Sequence, residues 1–132
     1  MIYKNIVPGT FLSRPNRFIA HIEIDGQDTI CHVKNTGRCK ELLVPGVTVY
    51  LEQSDNPTRS TKYDLVAVEK GTALINMDSQ APNKVVGEWI TSSDYFGSPD
   101  LIRPEFTLGD SRFDFYLESE GKRILIEVKG VT

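Results

Sequence analysis

Residues 17–34 read R-F-I-A-H-I-E-I-D-G-Q-D-T-I-C-H-V-K. Phe18, Ala20, Ile22 and Ile24 alternate with Ile19, His21 and Glu23, the period of two that sends successive side chains to opposite faces of a strand. Asp25-Gly26 comes next, a pair that accepts the left-handed backbone of a two-residue hairpin turn, and a second apolar run follows it. A β-hairpin is therefore specified here. Further strands are expected over residues 47–52, 63–69 and, shorter, 73–76, all bounded by Pro-Gly, Asn-Pro or Lys-Gly punctuation. Five short strands within residues 1–80 predict a five-stranded β-barrel of the oligonucleotide-binding (OB) type, although a two-sheet sandwich fits the same pattern.

The texture changes near residue 80. Ala81-Pro82-Asn83 has the flavour of a helix start, with Asn83 expected to cap a helix over 84–91. Val85, Val86, Trp89 and Ile90 fall at helical spacing, so one face is apolar and Trp89 is read as core. After a loop of Ser, Asp, Gly and Pro, three strand-like runs cover 102–108, 113–117 and 123–128. Residues 81–132 thus read as a second, α/β part of the chain.

Composition narrows the function classes. With 39% hydrophobic and 25% charged residues the chain is an ordinary globular sequence, not a disordered one. No apolar run approaches the ~20 residues of a membrane span. The start, M-I-Y-K-N-I-V-P-G, lacks a secretory apolar segment, so a cytoplasmic location is expected and no membrane partner. Cys31 and Cys39 have neither zinc-ligand nor redox-pair spacing and read as free thiols. Residues 1–80 hold nine basic and nine acidic residues; residues 81–132 hold six and nine, which restores the net charge of −3. Neither part declares nucleic-acid binding by charge, so folding would have to gather a basic face. The residues available for it are Arg14, Arg17, Lys34, Arg38, Lys40, Arg59 and Lys62, several of them around N-T-G-R-C-K-E. Grouped on a barrel they would track a phosphate backbone; scattered, they are a solvated surface. His21 and His32 have no partner at metal-ligand spacing.

The stretch S-R-F-D-F-Y-L-E-S-E-G-K-R-I-L-I-E-V-K, residues 111–129, carries the chemistry. A turn at Glu120-Gly121 gives the pairing rule i + j = 241. Phe113, Phe115 and Leu117 then oppose Val128, Ile126 and Ile124 on an apolar face, and Asp114 opposes Glu127 on the other, with Lys129 beside it. A slip by one residue would set apolar against polar. Opposed carboxylates repel, and a divalent cation between them removes the penalty; Mg²⁺ suits one or two carboxylates completed by phosphate. Asp, then Glu-x-Lys on the next strand, is a coherent site for phosphodiester hydrolysis. It is equally the polar side of an amphipathic hairpin.

The blocks R-F-I-A-H-I-E-I-D-G (17–26), N-T-G-R-C-K-E-L-L-V-P-G (35–46), Y-D-L-V-A-V-E (63–69), I-N-M-D-S-Q-A-P-N-K-V-V (75–86) and S-R-F-D-F…I-E-V-K-G-V-T (111–132) resemble the sugar fermentation stimulation protein A (SfsA) family of bacteria and archaea. The resemblance implies an OB-type barrel over 1–80 that binds nucleic acid. It further implies that 81–132 is the first portion of a PD-(D/E)xK restriction-endonuclease-like domain. It implies DNA as partner, with little sequence preference, and maps the nuclease motif onto Asp114, Glu127 and Lys129, with Asp114 and Glu127 holding Mg²⁺ or Mn²⁺. Glu88 is a further candidate ligand. The alternative is a non-catalytic DNA-binding regulator of sugar metabolism that keeps only the nuclease fold. Family members continue beyond the Glu-x-Lys strand, so the chain reads as a fragment, prone to self-association through its sheet.

Overall fold

In the computed structural model, which describes residues 1–130, Asp25 and Gly26 adopt φ of 51° and 80°. Both central residues of the turn are left-handed, the type I′ geometry whose twist matches the flanking strands. Strands β2 (Ile19–Ile24) and β3 (Gln27–Val33) pair across it from Ile24–Gln27 to Ile19–His32. By contact the chain falls into two units, residues 2–79 and the stretch from Gln80 onward together with Met1.

The first unit is a closed five-stranded barrel. Around it run β1 (Ile6–Ser13), β2, β3, β5 (Tyr63–Lys70) and β4 (Thr48–Gln53), with β4 returning to β1. Parallel pairing of His32 with Asp64 and Val33 with Leu65 closes the ring. The strand expected at 73–76 forms as β6 (Ala73–Asn76), but it pairs with β5 outside the ring. The fifth barrel strand is β1, a segment not among the strands expected from the sequence, and it contains Pro8 and Gly9. Both residues have a reason to be there. Pro8 lies where β1 pairs only with β4, so its missing N–H breaks no ladder bond to β2. A Cβ on Gly9 would lie 3.1 Å from both the Glu23 carbonyl and Leu51 Cδ1, so glycine lets β1 approach without pushing its neighbours aside by a few tenths of an ångström. Irregularities at Phe11–Ser13 and at Tyr50–Leu51 supply the bends that closure needs. Inside lie Phe11, Ile22, Cys31, Val49, Leu51 and Leu65, joined by Leu42 and Leu43 from the β3–β4 connection. Burial raises the Cys31 thiol to about 12, so it behaves as a small apolar group.

The second unit is one helix on a three-stranded antiparallel meander: α1 (Ala81–Ser92), β7 (Leu101–Leu108), β8 (Ser111–Ser119) and β9 (Lys122–Ile126). The turn forms at Glu120-Gly121, and the 241 rule holds from Ser119–Lys122 to Phe115–Ile126. The strand ends there, two residues short of the expected Val128. The helix starts at Ala81, with Pro82 in its first turn, so Asn83 lies inside it and is no cap. Ile90 packs with Phe115 and Leu117, flanked by Val86, Ile102, Ile124 and Ile126. Trp89 is 42% exposed and stacks obliquely with Tyr95 at 5.2 Å, so it is not a core residue.

The two units differ in core: among the described residues, twelve buried side chains make the barrel's and three the second unit's. Leu51→Ala should cost about 2–5 kcal/mol, and Gly26→Ala, whose Cβ would meet open space, only the strain of its turn, about 1 kcal/mol. Urea unfolding of the two variants checks the ranking.

Candidate functional site

Four of the seven basic residues come together. Arg14, Arg17, Arg38 and Lys40 line an open groove of about 710 Å³ between the β1–β2 loop and the loop after β3. No carboxylate is among its lining residues, and among the described residues none pairs with Arg17, Arg38 or Lys40. Arg14 has a different task from the other three. Its Nη1 donates to the carbonyls of Gly37 (2.5 Å) and Arg38 (2.8 Å), and its Nη2 to those of Asn35 (2.6 Å) and Arg17 (2.7 Å). One guanidinium thus ties the two walls of the groove together. Asn35 Oδ1 accepts from Gly37 N (2.8 Å), tightening the N-T-G turn.

Lys34, Arg59 and Lys62 do not line the groove. Lys34 is paired with the buried Asp78 at 3.4 Å. Arg59 forms a two-pronged contact with Asp64 (2.8 and 3.0 Å), and His32 lies 3.3 Å from the same carboxylate. Lys62 is exposed in the β4–β5 loop. His21 opposes Ile30 across the hairpin and pairs with Asp28. Burial alone would raise the Asp64 carboxyl; the Arg59 hydrogen bonds and charge outweigh it and hold Asp64 below the ordinary range.

In the second unit, Asp114, Glu127 and Lys129 share one electrostatic neighbourhood. The β8–β9 ladder stops at Phe115–Ile126, and the Asp114 side chain takes over where backbone pairing ends. Its Oδ2 accepts from Val128 N at 2.7 Å, and its Oδ1 from Asn83 Nδ2 at 2.9 Å. These two bonds, with the nearby charges of Lys129 and Arg112, hold the carboxyl below its usual range against a smaller effect of burial. Lys129 Nζ lies 2.7 Å from Glu127 Oε1, and this hydrogen bond raises the ammonium above its usual value.

Asn83 is the residue the sequence reading placed wrongly. Its signal was there: as the third residue of a helix with Pro82 in its first turn, a short amide has no capping task and is free to reach a neighbour. Glu105 was missed altogether. The β7–β8 pairs all sum to 219, which sets Glu105 opposite Asp114. It leaves strand geometry at φ 54° and pairs with Arg112 at 3.1 Å. Glu88 is bound to the Met1 ammonium. Among the described residues no three of His, Cys, Asp or Glu form a group that could hold a metal by themselves. The ladder ends before the expected Asp114–Glu127 pair can form; each of the two carboxylates offers only oxygen, the donor type a hard divalent cation takes when phosphate and water complete its shell.

A closed OB-type barrel followed by a helix-on-meander unit defines the class: a barrel protein with an appended α/β part. The family model for the SfsA N-terminal OB domain matches residues 12–77, and that for the sugar fermentation stimulation protein RE domain matches 80–132. The chain belongs to the sugar fermentation stimulation protein family. It is 59% identical over 132 residues to the sugar fermentation stimulation protein homolog of Ruminiclostridium cellulolyticum and 61% to that of Desulfitobacterium hafniense strain DCB-2. In both cases it is matched in full and spans 58% of the relative's length. Among solved structures, that of Pyrococcus furiosus SfsA in complex with Ca²⁺ is similar, with a TM-score of 0.82 and 26% identity over 96% of this chain and 55% of that one. No helix among the described residues is long and apolar enough to cross a membrane.

The depressed Asp64 carboxyl sets a pH dependence. A group whose folded value is lowered adds stability above its unfolded value, about 3.9, and loses it as pH falls through the folded one. The gap in urea midpoint between the native chain and Asp64→Asn should therefore be widest near neutral pH and close below about pH 4.

Proposed function

We propose that the barrel binds DNA along the groove of Arg17, Arg38 and Lys40, with little dependence on sequence. We further propose that Asp114 and Glu127 hold a divalent cation for phosphodiester hydrolysis. The observation that carries the first part is the groove itself: cations without carboxylate partners, gathered on a unit whose formal charge balances. Such a surface contacts phosphates and releases condensed counterions, so affinity falls with salt. It reads the backbone and not the base edges, hence the weak sequence preference.

The second part is supported by the all-oxygen donor pair and by the Ca²⁺ complex of the archaeal relative. When bound, Mg²⁺ or Mn²⁺ would supply Lewis-acid polarisation of a phosphate oxygen and a water of lowered pKa. The chain's own residues prepare for this. Val128 N and Asn83 keep Asp114 ionised and fix both its oxygens. Lys129, exchanging Glu127 for the substrate, would place an ammonium against the charge that develops on the phosphate. A non-catalytic, DNA-binding regulator is the second reading. It is favoured by the closed Lys129–Glu127 pair and by Glu105 being engaged with Arg112.

Arg38→Glu with Lys40→Glu should weaken DNA binding at low salt by at least tenfold and flatten its salt slope by about two phosphates. In a Mn²⁺ titration followed by electron paramagnetic resonance, the native chain should bind the ion, and Asp114→Ala and Asp114→Asn should not. Unaltered binding in both carboxylate variants would remove the metal site. Plasmid cleavage with and without Mg²⁺ separates the catalytic from the regulatory reading. The edges of the three-stranded sheet, β7 and β9, invite pairing with a second copy, which concentration-dependent sedimentation would register.

A further inference from the structure

We infer that the ligand of the barrel groove is single-stranded nucleic acid, and that Phe18 is the ring on which one of its bases stacks. The inference rests on reading the groove as a nucleic-acid site and goes further by committing to the strand state.

Phe18 is 54% exposed. By strand parity it belongs with Ala20 and Ile22, both fully buried, yet it lies just before β2 begins, past the end of the barrel's interior. Exposure of a phenyl ring on a loose loop would mean little. Here the backbone is held from several sides. Asn16 Oδ1 accepts from the amides of Phe18 (2.8 Å) and Ile19 (3.0 Å). The Phe18 carbonyl accepts from Val33 N at 2.8 Å, and the Arg17 carbonyl accepts from Arg14 Nη2 at 2.7 Å. A fixed main chain thus carries two consecutive residues of different kinds: Arg17, which lines the groove, and Phe18, whose ring is more than half exposed.

That pairing has a chemistry. Arg17, Arg38 and Lys40 supply cations for successive phosphates, and a flat apolar ring supplies the face against which an unpaired base stacks. In a duplex the bases are already stacked on one another, so the ring would meet only sugar and phosphate and add nothing. In a single strand the same ring replaces water on a π-face that every base possesses, which gives affinity without sequence preference.

The test compares labelled oligo(dT) with a duplex of matched length by fluorescence anisotropy on the full chain. The native chain should prefer oligo(dT). Phe18→Ala and Phe18→Leu should each weaken oligo(dT) binding by about tenfold, leave duplex binding within about twofold, and leave the salt slope of both unchanged, since no phosphate contact is lost. Phe18→Trp should keep the affinity, and its added indole emission should be quenched by oligo(dT). Native-like oligo(dT) binding by Phe18→Ala and Phe18→Leu would overturn the inference, as would equal losses for single strand and duplex with an unchanged melting temperature. The parent reading fails separately: if Arg38→Glu with Lys40→Glu leaves both affinities intact, the groove is not a nucleic-acid site at all.

Discussion

Four backbone carbonyls converge on the guanidinium of Arg14, and the form of the barrel's basic groove depends on that contact. Two of the carbonyls, those of Gly37 and Arg38, and a third from Asn35, belong to the loop after β3; the fourth, from Arg17, belongs to the β1–β2 loop. Loops of this length rarely hold a fixed relation to each other, because ordering each residue costs about 1–2 kcal/mol. A planar cation with fixed donor directions overcomes this by serving several acceptors at once. The choice of acceptor matters electrostatically. Carbonyls offer dipoles, not charge, so the positive charge of Arg14 is solvated but not cancelled. It adds to the field of Arg17, Arg38 and Lys40, whereas a carboxylate at the same place would have erased one unit of it.

The same barrel shows the opposite arrangement on other residues. Arg59 with Asp64 and Lys34 with Asp78 are charge-neutral pairs, partly or wholly buried. A buried carboxylate without its cation would be costly, so these bases are bound by the needs of the fold. Asp64 shows why: it stands at the parallel His32–Asp64 pairing that closes the ring, where a carboxylate must be matched on the spot. The balance of nine basic and nine acidic residues in this part of the chain therefore conceals unlike members: Lys34 and Arg59 are paired off inside the fold, while Arg14, Arg17, Arg38 and Lys40 gather along the groove.

What was legible in the residues follows from local rules. Asp25-Gly26 and Glu120-Gly121 dictate their turns, and a turn of two residues fixes the register of the strands it joins. The facing of Phe115, Leu117, Ile124 and Ile126 followed from that arithmetic alone; the expected pairing of Asp114 with Glu127 did not, because the ladder ends at Phe115–Ile126. What was not legible depends on contacts distant in sequence. β1 carries Pro8-Gly9, which local rules read as a break; only the presence of β4 on one side and the closeness of Glu23 and Leu51 explain both residues. Arg14 reads like any exposed arginine until the carbonyls of residues more than twenty positions away are in place. Asn83 followed the rules for a cap, yet its amide is bonded to Asp114, thirty-one positions on.

Asp114 brings these threads to one atom group. A strand pair that continued past Phe115–Ile126 would bond the Val128 amide to a main-chain carbonyl and leave the aspartate side chain to solvent. Ending the ladder two residues early gives that amide to the carboxylate instead. The exchange satisfies the backbone, so it costs little in stability. It also lowers the proton affinity of the carboxyl and fixes its orientation without burying it. Each oxygen accepts one hydrogen bond and retains a free lone pair, which is the condition for a carboxylate to remain a ligand while being held still. Lys129 is two residues beyond Glu127, on the segment that the shortened ladder releases from the sheet. The early end of β9, two residues before the strand expected from the sequence, is thus what gives the Val128 amide to the Asp114 carboxylate and leaves Lys129 near enough for its charge to be felt there.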